Sequence, residues 1–146
     1  MYFIVLFYSK RNEMEAKLGK GCVNEMDLYH GTKSELVEVI SEQNLDPRLA
    51  GDNVGTLFGQ GAYFATDAKY SDGYAEPDGN NHKFIFQCRV LAGRWIYGDE
   101  KYRRPPQVAK NERTLYDCCV DRVDNPKIFC FFDINQYYPE YVIEYK

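Results

Sequence analysis

The chain has 146 residues and a net charge of -4, because 22 Asp and Glu outweigh 18 Lys and Arg. This length fits one domain with one hydrophobic core, so we predict a single domain over residues 1–146. The acidic balance argues against charge-driven binding of duplex nucleic acid, which needs a basic footprint, but it leaves open a nucleic-acid end as a substrate.

The five cysteines are odd in number and show no CxxC spacing. We therefore expect neither a zinc site nor a disulfide framework, and a reducing setting in the cytoplasm or nucleus. The apolar stretch over residues 1–8 is too short to span a membrane and lacks the basic start of a targeting peptide. It predicts a buried strand or the end of a helix.

The first half of the chain predicts two helices, one strand and a long loop. In chain order these are a helix over 10–20 ended by Gly19 and Gly21, a strand over 27–30, a helix over 34–43 and a loop over 44–61. The second helix is indicated by Leu36, Val37 and Ile40 at helical spacing, and Ser34 is its expected N-cap. A loop of this length in a compact domain is usually functional or disordered.

The second half predicts mainly strands. In chain order its elements are a strand over 62–65, a helix capped by Asp67 and running through Tyr74, a turn over 76–83, a strand over 84–91 that residues 93–97 extend or repeat, a surface loop over 98–112, and strands over 128–132 and 141–145. Helices in the first half and strands in the second, without regular alternation, favour an α+β domain over a doubly wound parallel sheet.

Three short segments stand out by their order. They are LYHGT over 28–32, GQGAYFA over 59–65 running on to Ser71 and Tyr74, and PKIF over 126–129. Each segment alone is a weak indication, since such motifs occur in many loops. Together with YPEYVI over 138–143, they resemble the catalytic signature of the ADP-ribosyltransferases of the poly(ADP-ribose) polymerase superfamily, in its mono-ADP-ribosylating branch. That signature is a His, a Tyr and a third residue that is often Glu.

The resemblance covers residues 25–145 and implies an ADP-ribosyltransferase (diphtheria-toxin-like) fold, with a split antiparallel β core and flanking helices. Residues 1–24 diverge, so the leading strand of the family is either missing or replaced by residues 1–8. The family uses NAD+ as its donor substrate and no metal. We expect a monomer that modifies protein acceptors and does not engage a membrane.

The resemblance also implies a role for each matching residue. His30 would hydrogen-bond the adenine-side ribose, and Gly31 would hold the nicotinamide amide through its backbone, where a Cβ would obstruct close approach. Tyr63 and Tyr74 would flank the nicotinamide ring, with Tyr74 stacking on it. Ser71 would donate to the amide oxygen.

Two further residues match less specific positions. Thr32 would contact a ribose, or it would cap the helix that follows. Arg48 lies in a stretch over 44–58 that resembles the loop covering the donor, and it is a candidate contact for the diphosphate or the adenine. The structural alternatives are ordinary ones, namely core packing for the two tyrosines and solvation for the arginine.

The third signature position reads Ile128, and this residue decides the reaction we expect. In chain-elongating members a Glu there binds a ribose hydroxyl and helps to activate the acceptor, which an isoleucine cannot do. We therefore predict transfer of a single ADP-ribose unit from NAD+ to a protein, with His30, Tyr63 and Ile128 as the catalytic positions. An acidic acceptor side chain would supply the missing negative charge. Glu140 is rejected for this position, because residues 128–133 fit the motif strand better, and we expect it at the surface or in a turn.

Two other functions remain open. One is a catalytically inactive NAD-binding or interaction module of the same fold. The other is ADP-ribosylation of a terminal phosphate of nucleic acid, which the acidic charge of the chain disfavours.

Overall fold

The computed structural model of the chain describes residues 2–49 and 57–146. Within those ranges it has three α-helices, seven strands and three short 3-10 turns. The helices are α1 (Tyr2–Leu18), α2 (Val37–Gln43) and α3 (Ala68–Asp72), the strands are β1 (Glu25–Thr32), β2 (Ala62–Ala65), β3 (Lys83–Leu91), β4 (Trp95–Tyr97), β5 (Cys118–Val120), β6 (Ile128–Phe131) and β7 (Tyr137–Tyr145), and the turns are Ser34–Leu36, Pro47–Leu49 and Ile134–Gln136.

The described strands form one sheet in the order β4-β5-β6-β2-β1-β3-β7. Neighbouring strands are antiparallel except β4 and β5, which are parallel. β1 pairs with β3 along its whole length, but it pairs with β2 only where Tyr29 lies opposite Ala65. The sheet is therefore split into two halves that meet at one residue pair. This confirms the predicted α+β class and the split, mainly antiparallel core.

The main hydrophobic core is aromatic. Its largest buried members are Phe64, Phe86, Phe129, Phe131 and Tyr137. The hydroxyl of Tyr137 donates to the carbonyl oxygen of Leu45 at 2.8 Å, so the polar atom of this buried ring is satisfied. Ile40 joins the same core and seats α2 against the sheet.

The start of the chain forms one continuous helix, α1, rather than a strand. Phe7 and Met14 are seven residues apart, so they share one helix face, and both are buried. They pack against Leu91 of β3 and Tyr138 of β7 in a second core cluster. Gly19, with φ +100°, ends the helix as predicted. The apolar start of the chain is therefore the first half of a helix that covers the sheet.

One predicted helix cap is confirmed and one is wrong. Asp67 caps α3, because its carboxylate accepts from the backbone N–H two residues further on at 2.9 Å. α3 ends at Asp72, so Tyr74 lies beyond the helix and not within it. Ser34 is not an N-cap, because the chain leaves β1 directly into a 3-10 turn that includes Ser34. The cap position of that turn is Lys33, which makes no side-chain capping bond.

The strands depart from expectation where their pairing depends on distant parts of the chain. Residues 93–97 do not extend β3, because β4 pairs with β5 at the opposite edge of the sheet. Gly93 turns the chain there with φ +55°, and a Cβ on it would lie 2.4 Å from the carboxylate of Asp117. β5 was not predicted, since three buried residues show no periodicity. β7 begins at Tyr137, so Glu140 lies within a strand.

No helix in the described part of the chain is long and apolar enough to cross a membrane. Residues 2–49 and 57–146 also hold no group of three or more His, Cys, Asp or Glu side chains arranged to bind a metal ion. All five cysteines are free thiols, and four of them are buried.

Candidate functional site

His30 lies where β1 and β2 diverge, and its ring reaches across to β2. Its Nδ1 lies 2.7 Å from the backbone oxygen of Tyr63. A carbonyl oxygen can only accept, so Nδ1 carries the proton and donates it. Burial lowers the pKa of His30, and the hydrogen bond to Tyr63 opposes this shift only in part. The imidazole is therefore neutral near pH 7, with Nε2 as a hydrogen-bond acceptor.

The hydroxyl of Tyr63 is used by the chain itself. It donates to the carbonyl oxygen of Gly59 at 2.7 Å and accepts from the backbone N–H of Phe58 at 2.9 Å. Burial raises the pKa of Tyr63, so this hydroxyl stays protonated. Tyr63 thus ties the segment ahead of β2 to the strand.

Gly31 and Ser71 bring β1 and α3 into direct backbone contact. A Cβ on Gly31 would lie 1.9 Å from the carbonyl oxygen of Ser71 and 3.2 Å from the backbone nitrogen of Ala75. The lack of a side chain at Gly31 is therefore required by packing of α3, a reason that the sequence did not suggest. Ser71 is buried, and its hydroxyl makes no hydrogen bond to another residue among those described.

Tyr74 follows α3 and remains beside this contact. Its backbone N–H donates to the carbonyl oxygen of Ser71 at 3.0 Å, and its side chain is 40% exposed. The hydroxyls of Tyr70 and Tyr74 are 3.1 Å apart, and their ring centroids are 5.6 Å apart. The two rings form a half-exposed aromatic pair next to the end of β1.

Ile128 opens β6 directly opposite Ala65 of β2. Because side chains alternate along strands, Ile128 shares a sheet face with Cys130 and with Tyr63, the partner of Cys130. The backbone N–H of Ile128 donates to the carboxylate of Asp121 at 3.1 Å, so the turn before β6 fixes its position. The third signature residue therefore lies on the same strand pair as the second. Sequence reasoning missed Asp121, because its contact with Ile128 forms only when the turn before β6 brings the two residues together.

Glu140, the rejected alternative for the third position, lies on β7 at the edge of the sheet. Two strands, β1 and β3, separate β7 from β2 in the sheet order. Glu140 is half-buried, and its Oε2 lies 3.4 Å from the guanidinium of Arg89. The expectation of a surface or turn position was wrong, because Glu140 belongs to an ion-pair cluster that spans neighbouring strands.

Thr32 ends β1 and is 4% exposed. The turn that follows it has Lys33 as its N-cap, so Thr32 does not cap a helix. Of its two predicted roles, helix capping is wrong and the ribose contact stays a prediction.

Arg48 lies in the 3-10 turn Pro47–Leu49, outside the sheet. It is exposed, and Asp46 holds its guanidinium at 2.7 Å. It lines a cavity of about 310 Å³ together with Gln60 and Arg103. Sequence reasoning missed these last two residues, because two loops far apart in the chain meet there, joined by the backbone bond from Gln60 to Tyr102 at 2.8 Å. Of the predicted loop over 44–58, residues 50–56 lie outside the described part of the chain.

Comparisons with known proteins identify the family of the chain. The family model of the poly(ADP-ribose) polymerase (PARP) catalytic domain matches residues 6–101, a range that includes His30, Tyr63, Ser71 and Tyr74. The chain is similar to the protein mono-ADP-ribosyltransferase PARP11 of Homo sapiens, with 42% identity over 95% of this chain. It is also similar to human PARP12, with 40% identity over 93% of this chain. The chain spans 46% of the length of the first relative and 19% of the second.

A solved structure supports the fold. The PARP domain of RADICAL-INDUCED CELL DEATH1 from Arabidopsis superimposes with a TM-score of 0.78, over 99% of this chain and 79% of that one. At 21% identity, this likeness concerns the fold alone. It confirms the predicted ADP-ribosyltransferase fold.

Proposed function

The chain belongs to the poly(ADP-ribose) polymerase catalytic domain family, and from this membership we propose that it transfers a single ADP-ribose unit from NAD+ to a protein acceptor. Its likeness to two proteins named as mono-ADP-ribosyltransferases supports this proposal. The observation that carries it is the hydrogen bond from His30 to the backbone of Tyr63. This bond joins two of the three signature residues and leaves one imidazole nitrogen as an acceptor.

The groups around the end of β1 fit a nicotinamide nucleotide. His30 Nε2 would accept a hydrogen bond from the adenine-side ribose, which a protonated imidazole cannot do. The backbone of Gly31 and the hydroxyl of Ser71, which bonds to no other residue in 2–49 and 57–146, would hold the carboxamide of nicotinamide. The half-exposed ring of Tyr74 would lie against the cationic nicotinamide ring. Arg48 would contact the diphosphate or the adenine from the cavity that it lines.

The chemistry needs little acid–base help from the protein. NAD+ supplies a ribose–nicotinamide bond that breaks with loss of a neutral leaving group. The protein must therefore orient the donor and exclude unproductive arrangements. The hydroxyl of Tyr63 does not serve as a proton donor here, since it already donates to Gly59 and its pKa is raised by burial. Tyr63 acts by positioning, through its ring and through its hold on the segment before β2.

Ile128 limits the product to one ADP-ribose unit. Its side chain has no atom that accepts a hydrogen bond, so it cannot activate a hydroxyl of an ADP-ribose that is already attached. An acidic acceptor side chain carries its own negative charge and can approach the developing positive charge without such activation. Asp or Glu on a protein is accordingly the proposed acceptor.

The proposed setting is the cytoplasm or the nucleus, where the domain would work as a monomer without a metal ion. The supporting observation is that all five cysteines are free thiols. A reducing compartment keeps thiols in that state.

The test is incubation of the chain with labelled NAD+ and an acidic acceptor peptide, followed by mass spectrometry of the intact peptide. We expect an adduct of one ADP-ribose unit. His30→Ala should lower incorporation about tenfold or more, because it removes an acceptor for the donor substrate. His82→Ala is the matched control, since it removes the other of the two histidines of the chain and leaves the site intact.

Two results would contradict the proposal in different ways. Detection of ADP-ribose chains on the acceptor would contradict the role given to Ile128. A protein that gains thermal stability from a nicotinamide-mimicking benzamide, but that transfers nothing, would be a binding module instead of an enzyme.

A further inference from the structure

A basic cleft lies between α1, the loop over 98–117 and the segment that follows β6. Its volume is about 500 Å³. The cationic side chains that line it, and that define the basic cleft, are Lys10, Lys17, Arg103, Arg104 and Arg113. Leu115, Tyr116 and Phe132 give it an apolar wall. None of these side chains belongs to the catalytic signature.

The two lysines of the basic cleft are paired with carboxylates, whereas the three arginines form no ion pair with any residue that the structure describes. Lys10 lies 3.2 Å from Asp133, and Lys17 lies 3.8 Å from Asp117. Burial alone would lower the pKa of Lys10, but the charge of Asp133 raises it above its ordinary value. Among residues 2–49 and 57–146, no carboxylate lies within 4.0 Å of the guanidinium nitrogens of these arginines. The cleft therefore has a surplus of positive charge in a chain whose net charge is -4.

The basic cleft adjoins the candidate functional site. Arg103 and Phe132 also line the smaller cavity beside Arg48. The ring of Phe132 packs against Gly59, where a Cβ would lie 2.5 Å from it. Ile128 and Phe132 are four residues apart, which corresponds to about 13 Å along an extended strand. A ligand in the cleft would thus lie beside the site without occupying it.

We propose that the basic cleft binds an acidic segment of the acceptor protein, separate from the side chain that is modified. This rests on the proposed function in that it assigns the segment to the acceptor. A guanidinium group pairs with a carboxylate through two parallel hydrogen bonds, which gives both affinity and orientation. Arg104 and Arg113 are exposed and line the cleft but not the cavity beside Arg48, so they are the residues that would make these pairs.

A short acidic peptide fits the basic cleft better than a nucleic acid does. A phosphate backbone needs positive charge that extends along its length. Here the surplus charge is confined to one cleft of about 500 Å³. The apolar wall at Leu115 and Tyr116 suits the aliphatic side chains that separate acidic residues in a peptide.

The first experiment measures peptide binding without NAD+, so that it does not depend on transfer. A fluorescent peptide of about twelve residues, alternating Glu and Leu, is long enough to reach from the cleft to the site. The double variant Arg104→Gln with Arg113→Gln should bind it about tenfold more weakly, because two charge-assisted contacts are lost. The double variant Lys110→Gln with Arg122→Gln is the matched control. It removes two exposed positive charges outside the cleft and should bind as the wild type does.

The second experiment measures transfer onto the same peptide. The cleft variant should raise KM for the peptide about tenfold and leave KM for NAD+ unchanged. Peptide binding that needs the two arginines, in a protein without transfer activity, would support the cleft and refute the proposed function.

Three results would overturn the cleft proposal. Equal weakening in both double variants would indicate a general charge effect. Displacement of the peptide by ADP-ribose would assign the cleft to the donor. Tighter binding of an oligonucleotide of equal charge, lost in the cleft variant, would make it a nucleic-acid site.

Discussion

Gly31 is the residue whose replacement should disturb the site most directly. In Gly31→Ala, the new methyl group would meet the carbonyl oxygen of Ser71, 1.9 Å from the ideal Cβ position. Because the obstacle is backbone and not the end of a flexible side chain, α3 must move. We expect the free energy of unfolding in urea to fall by about 2 kcal/mol, and the thermal shift induced by a benzamide to disappear.

Gly79→Ala is the matched control for that variant. A Cβ on Gly79 meets no atom within 4 Å, and its φ lies outside the left-handed region. Its free energy of unfolding should change by less than about 0.5 kcal/mol. Equal stability of the two variants would show that the contact between β1 and α3 is looser than described.

His30 should remain neutral at a pH where an ordinary histidine is half protonated. Burial lowers its pKa below the usual 6.5, so the folded protein binds this proton less readily than the unfolded chain does. The neutral ring thus stabilises the fold fully above pH 6.5, and this contribution is lost as the pH falls from there towards the folded pKa. KM for NAD+ should accordingly stay constant from about pH 8 to pH 6.5 and rise only in more acidic solution.

The imidazole resonances in NMR spectra report directly on the protonation of His30. The chain has two histidines, and His82→Gln assigns the two signals. The signal of His30 should titrate with a midpoint below 6.5. A midpoint above that value would mean that Nε2 is protonated near neutrality and cannot accept from a ribose.

At the scale of elements, α3 is too short to be stable alone and depends on its anchors. It has five residues, and its last residue, Asp72, accepts hydrogen bonds from Tyr145 of β7 and from Lys83 of β3. The hydrogen bond from Tyr145, and then the one from Lys83, keep the pKa of Asp72 below its ordinary range. The charged carboxylate of Asp72 therefore ties α3, and with it Ser71, to strands β3 and β7.

Tyr145→Phe removes one of these anchors without changing the size of the ring. We expect the Kd for a benzamide to rise severalfold, because Ser71 and the neighbouring Tyr74 lose their fixed position. Tyr141→Phe on the same strand is the control, since Tyr141 is 59% exposed and makes no side-chain hydrogen bond to another described residue. Calorimetric titration measures the Kd of both variants for the benzamide. Equal Kd values for the two variants would show that β3 alone anchors α3.

The elements that the sequence predicted correctly are those set by local signals. Asp67 caps α3 and residues 62–65 form β2, because side-chain capping and apolar residues next to Gly61 act within a few positions. The location of β4 could not be predicted, since it depends on pairing with β5, more than twenty residues later. The order of the motifs predicted His30 and Ile128 as site residues. Contacts between loops, such as those around Arg103, could not be predicted, because no local sequence pattern indicates which loops meet.

At the scale of the whole molecule, one ion-pair cluster joins α1 to three strands. Arg89 of β3 contacts Glu25 and Asp27 of β1 at 2.7 and 3.0 Å. It also lies 3.4 Å from Glu140 of β7, although Oε2 of that residue is not aligned for a hydrogen bond. Arg11 of α1 reaches Glu25 at 2.8 Å. Arg89 therefore neutralises carboxylates from both neighbouring strands in the half of the sheet that carries His30.

Arg89→Gln tests whether this cluster holds that half of the sheet together. Without the guanidinium, the half-buried carboxylates of Glu25 and Glu140 and the exposed carboxylate of Asp27 would face one another. We expect the free energy of unfolding at pH 7 to fall by about 2 kcal/mol. The loss should be smaller near about pH 4, because carboxylates lose their charge in acid. Arg122→Gln, which removes an exposed guanidinium outside the cluster, should be as stable as the wild type at both pH values.

Glu140→Gln completes the test, because it separates a structural carboxylate from a catalytic one. It should change the stability of the protein and leave transfer per folded molecule at the wild-type level, since β1 and β3 lie between β7 and β2. Transfer lost in a variant of unchanged stability would instead assign the catalytic carboxylate to Glu140 and remove the argument from Ile128.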